Sequence, residues 1–133
     1  MNETAEERPK KEMPELNGFT GTEGYHRWNI LTSMTLTDGT KYLADEVGCY
    51  WLFDIVASVQ TLPKVKEYNG FIIWILNVKN KEAFVSGYYD CETDGSYSPR
   101  KRVYQQKISY TDFPEGVFEF YQEGNVILLK SEH

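Results

Sequence analysis

The apolar positions change character at Glu67. Before it lies "CYWLFDIVAS", residues 49–58, almost unbroken in apolar side chains and interrupted once, by Asp54. On a helix its apolar residues sweep most of the circumference. Only a thin strip is left for Asp54 and Ser58, one turn apart, with Thr61 near the same stripe. After Glu67 the apolar residues come in short runs and alternations rich in β-branched and aromatic types, the pattern of strands.

"LTSMTLT" predicts a short strand over 31–37. "DGTKYLADEVG" predicts a helix capped by Thr37 or Asp38 and ended by Gly48. "CYWLFDIVASVQTL" continues as a second helix, with Pro63 closing the helical region. "FIIWILNV" (71–78) is apolar on both faces and reads as a central strand. Its hairpin partner is 82–91, across a turn at Asn80–Lys81. Further strands are expected at 103–110, 117–122 and 125–130, the last two joined by a tight turn at "EG". The sum is α+β: two helices on one face of a mainly antiparallel meander of about five to six strands. Residues 1–16, polar, mixed in charge and carrying Pro9 and Pro14, read as a flexible tail before a single domain over 17–133. In "NGFTGTEGYHRWN" the glycines argue for a loop, and the Thr20–Glu23 spacing allows one helical turn over 23–28.

Composition narrows the function classes. The chain has 133 residues, with 41% hydrophobic, enough for one real core. A net charge of −6 disfavours a broad phosphate-binding surface, and so nucleic acid. No apolar run approaches a membrane span, and no export signal opens the chain, so a cytoplasmic setting is expected. Cys49 and Cys91 then read as free thiols.

Candidate chemistry is sparse. No C-x-x-C, P-loop or dinucleotide glycine pattern is present, and His26 and His133 are the only histidines, so neither a metal nor a cofactor is expected. His26, Arg27 and Trp28 stand together in the glycine-rich loop, where they could bind an anion or a base by charge and stacking. The plainer reading has Tyr25 and Trp28 plugging the core. Asp54 lies on the exposed strip, or is buried against Arg27, His26 or a tyrosine hydroxyl, or is a catalytic acid. Arg100, Lys101 and Arg102 form a basic patch that either touches phosphate or an acidic partner or is merely solvated.

"FTGTEGYHRW", "LTDGTKYLADEVGCYWLFDIVAS", "YTDFPEG" and "GNVILLKSEH" together resemble a small family of uncharacterised domains of bacteria and phages, with TDGxKYLA…YWLxDxxAS and TDFP motifs. Cys49 departs from the small residue expected at its position. The resemblance implies a bacterial or phage source and supplies no catalytic residue. The expected role is a non-enzymatic binding or regulatory domain with a protein partner, such as a phage-encoded inhibitor of a host factor or defence system. The alternative is a small-ligand binder or small hydrolase with a pocket at His26, Arg27 and Asp54. A cleft lined by those three residues favours the alternative, and a flat aromatic surface favours the protein partner.

Overall fold

The computed structural model of the protein describes residues 11–133. In chain order the elements are β1 (Tyr25–His26), β2 (Thr35–Thr37), α1 (Asp38–Val47), α2 (Tyr50–Ser58), α3 (Pro63–Tyr68), β3 (Ile72–Lys79), β4 (Glu82–Tyr88), β5 (Arg102–Ile108), β6 (Gly116–Glu123) and β7 (Val126–Leu129). The expected α+β class holds. Its finer count does not: there are three helices, and one seven-stranded sheet in the order β1-β2-β7-β6-β3-β4-β5. Pro63 does not close the helical region but opens α3 from its first turn, where a missing N–H costs nothing. The expected turn over 23–28 is instead β1, a short strand antiparallel to β2. Of the polar tail, 1–10 lies outside the described residues. Residues 11–16 carry no helix or strand, and Lys11 reaches the Val47 carbonyl at 2.6 Å and Asp112 at 3.0 Å.

β3 is central, as its two apolar faces require. It pairs antiparallel with β4 on one side and with β6 on the other. The strands are not a simple meander, because β6 returns to β3 rather than pairing with β5. The crossing segment carries the "TDFP" motif past the tip of the β3–β4 hairpin. Asn80 and Lys81 form that tip with φ of 54° and 63°, as a two-residue hairpin twist demands. The Thr111 amide donates to the Lys81 carbonyl at 2.8 Å, and the Asn80 amide donates to Glu115 Oε1 at 2.9 Å. Phe113 is buried there and closes that end of the core.

The helices supply the other half of the core. Leu43, Leu52, Phe53, Val56 and Val65 are buried with Trp74, Leu76 and Phe120 of the sheet. The start of α1 is fixed by residues distant in sequence. Glu132 Oε1 accepts from the Thr37 hydroxyl at 2.6 Å and from the Leu129 amide at 3.0 Å, and its Oε2 accepts from the Gly39 amide at 3.1 Å. A carboxylate at a helix N-terminus satisfies orphan amides and complements the dipole. Glycine at 39 leaves room for it: a Cβ there would fall 2.5 Å from Leu129 Cδ1 and 2.7 Å from Glu132 Oε1, so both side chains would have to shift. "TDG" and the closing "SE" thus meet in space.

Candidate functional site

The strip expected on α2 exists. Leu52, Phe53 and Val56 are buried, while Asp54, Ser58 and Thr61 are exposed. Asp54 is therefore not a buried acid, and neither Arg27 nor His26 is its partner. Its Oδ1 accepts from the Trp28 indole Nε1 at 2.7 Å and from Asn29 Nδ2 at 3.4 Å. The first bond is short and charge-assisted. The single acid in an apolar helix thus ties the glycine-rich loop down, with Trp28 packed against the core.

That loop is positioned from its other end by β1. The register His26↔Leu36 sets His26 beside the start of α1. There His26 Nε2 lies 2.7 Å from Asp38 Oδ1, and the Glu23 amide donates to Asp38 Oδ2 at 2.9 Å. The His26 hydrogen bond, with help from that amide, holds the Asp38 carboxyl below the usual carboxylate range. Arg27 turns the other way and donates from Nη2 to the Thr32 carbonyl at 3.0 Å.

Between the loop and the two helices lies an open cleft of about 320 Å³, lined by His26, Arg27, Trp28, Asn29, Leu36, Lys41, Tyr50 and Asp54. Four residues singled out in the sequence, His26, Arg27, Trp28 and Asp54, share this one site. Asn29, Lys41 and Tyr50 were not singled out, nor was Asp38 as the partner of His26. Lys41 and Tyr50 come from successive helices, and both engage Asp45. Lys41 Nζ lies 2.8 Å from Asp45 Oδ2, and the Tyr50 hydroxyl donates to Asp45 Oδ1. The Lys41 bond, then Tyr50, keeps the Asp45 carboxyl acidic. Burial, with Asp45 opposite, pushes the Tyr50 phenol up to about 12. Capping logic placed Asp38 at a helix start, but only the β1–β2 register brings it to His26.

The basic patch stands elsewhere and is largely engaged. Arg100 grips Glu92 through Nε and Nη2, both at 2.7 Å, and Ser98 Oγ donates to the same carboxylate at 2.6 Å. These bonds hold the Glu92 carboxyl down to about 2, the Arg100 contact contributing most. Lys101 donates to the Cys91 carbonyl at 2.9 Å. Arg102 begins the edge strand β5. The polar loop before them also covers part of the sheet. Tyr97 packs against Tyr88 at 5.1 Å between ring centroids and donates to Glu119.

The lining of the cleft holds no serine, threonine or cysteine to act as a nucleophile. Cys49 is fully buried at the start of α2, and burial pushes its thiol up to about 12. Among the described residues no cluster of His, Cys, Asp and Glu could hold a metal ion, and no helix is long and apolar enough to cross a membrane.

No curated protein and no solved structure matches the chain. A family model does match, over residues 10–133, which is nearly the whole chain including the loop, both cleft helices and the Glu132 cap. The chain therefore belongs to the family of unknown function DUF6876.

Proposed function

We propose that this domain is a non-enzymatic binding module whose ligand is a small polar molecule seated in the cleft between the glycine-rich loop and helices α1 and α2. The observation that carries the reading is convergence. Trp28, Asn29 and Arg27 from the loop meet Lys41 and Tyr50 from two helices around Asp54 in one opening of about 320 Å³. That volume is at the small end of ligand pockets. The lining mixes two cations with one carboxylate, and the paired acids Asp38 and Asp45 stand behind it. This balance suits a zwitterionic or neutral polar molecule better than a highly charged anion. Trp28 and Tyr50 offer ring surface to a flat ligand. The context we attach to this reading is a bacterial or phage protein acting in the cytoplasm.

The His26–Asp38 pair favours a second reading. A histidine oriented by a carboxylate is the base half of a hydrolytic site, and here it would have to activate water directly.

The test is an NMR titration of the full chain with free amino acids, nucleosides, nucleoside monophosphates and monosaccharides. A binder is expected to move the Trp28 indole signal and the amides of 26–29, 41 and 50, saturably, while leaving the buried Trp74 indole in place. Ligand-dependent turnover lost in His26→Ala would replace this reading with the hydrolytic one. No saturable shift from any member, or shifts centred away from the cleft, would defeat both.

A further inference from the structure

Residues 29–32 form a turn with an unusual content. The Thr32 amide donates to the Asn29 carbonyl at 3.2 Å, so Ile30 and Leu31 are its two central residues. Central turn positions favour proline, glycine, asparagine and aspartate. Here both are aliphatic, and they are 91% and 89% exposed. A single exposed aliphatic residue needs no explanation, but a neighbouring pair this open, on one turn, does.

The turn is also held in shape. The Leu31 amide donates to Asn29 Oδ1 at 2.9 Å, and Asn29 Nδ2 reaches Asp54 Oδ1 at 3.4 Å. At the other end Arg27 Nη2 donates to the Thr32 carbonyl at 3.0 Å, and the Met34 amide donates to Thr32 Oγ1 at 3.1 Å. A turn whose backbone is fixed before binding loses little main-chain freedom when it docks.

We propose that the Asn29–Thr32 turn is a docking knob for a protein partner that offers an apolar pocket edged by a carboxylate. The pocket is what two adjacent aliphatic side chains can enter with gain, since burial removes their surface from water. The carboxylate follows from Arg27. Its guanidinium spends one N–H on Thr32, stands exposed beside the knob, and presents its remaining donors in a fork that fits a carboxylate. A second copy of this chain fits less well. A two-fold contact between knobs would bring the two Arg27 guanidiniums together. The inference goes beyond the cleft reading, because Ile30 and Leu31 do not line the cleft; Arg27 stands at the rim shared by both.

The experiment pans the full chain against a displayed library of random peptides, with the double variant I30S/L31S as counter-target. Binding of the enriched peptides is then measured by fluorescence anisotropy. Enriched peptides are expected to pair aliphatic or aromatic residues with Asp or Glu. I30S/L31S is expected to weaken them about tenfold or more, and Arg27→Gln severalfold. The melting temperature of I30S/L31S should not fall, because both side chains are exposed. Failure to enrich any peptide would overturn the proposal. So would equal binding to I30S/L31S, or concentration-dependent self-association that I30S/L31S abolishes. A cleft ligand that leaves 30 and 31 unshifted in the NMR titration bears on the cleft alone, so the two readings fail separately.

Discussion

Trp74→Ala is expected to cost about 3–5 kcal/mol, a large share of the roughly 5–15 kcal/mol that holds a domain of this size folded. Trp74 is fully buried in the central strand. Its register partner on β4 is Gly87, whose missing side chain makes room for the indole: a Cβ there would lie 3.0 Å from the ring. The indole Nε1 donates to Gln122 Oε1 at 3.0 Å, and Gln122 is itself fully buried. Gln122 Nε2 donates in turn to Gln60 Oε1 at 2.7 Å and to the Gly124 carbonyl at 2.8 Å. Removing the ring opens a cavity with a buried amide on its wall. Trp74→Phe keeps most of the packing and loses the N–H, while Gln60 Nε2 still donates to Gln122 Oε1 at 3.1 Å, so about 1–2 kcal/mol is expected. Urea melts of the three proteins check the order. Equal losses for alanine and phenylalanine would mean that the hydrogen bond, not the packing, dominates.

Glu132→Ala is expected to cost about 3 kcal/mol, because it removes one acceptor pair from three donors at once. The amides of Gly39 and Leu129 lose their partner, and the α1 N-terminus loses a negative charge. The buried Thr37 hydroxyl has a fallback at the Ile127 carbonyl, 3.4 Å away, which limits the loss. Glu132→Gln keeps an oxygen for Thr37 and Leu129 but turns an NH₂ toward the Gly39 amide, so about half the loss is expected. Chemical denaturation with an unchanged m-value reads this out. A loss below about 1 kcal/mol for the alanine variant would show that the cap does not hold α1 in place.

The sequence made the strands from Phe71 legible because burial on both faces of β3 forces a continuous apolar run, and Asn80–Lys81 and "EG" mark tight turns. The sheet order was not legible. Whether β6 joins β5 or β3 depends on how the crossing segment packs, and in "TDFP" that packing is done by Phe113 and by backbone bonds to the hairpin tip. Pro63 reads as a stop in the sequence because proline ends helices more visibly than it begins them, although its fixed φ suits a first turn equally. The alternation in "VYQQKISY" puts Tyr104, Ile108 and Tyr110 on one face; Tyr110 lies beyond β5 and is exposed, while Tyr104 and Ile108 pack on the core. Val103 joins them because the register shifts between Gly87 and Tyr88 and leaves it opposite no residue. At the site, His26, Arg27, Trp28 and Asp54 stood out by residue type alone. Their actual pairings did not, since each depends on tertiary contact: Trp28 with Asp54, and His26 with Asp38.

The cleft reading rests on one bond, the Trp28 indole donating to Asp54 across the loop–helix gap. The most direct measurement follows the indole N–H signals of the three tryptophans in the wild type, Asp54→Asn and Asp54→Ala. The wild-type Trp28 indole proton is expected to exchange slowly with water for a residue near the surface. In Asp54→Ala its signal should shift and its exchange quicken, with Trp51 and Trp74 unmoved and a stability loss of about 1 kcal/mol or less. Asp54→Asn keeps an acceptor oxygen and should fall between the two. A Trp28 signal that stays in place, with unchanged exchange, in Asp54→Ala would contradict the account, because the loop would then be held by something other than Asp54.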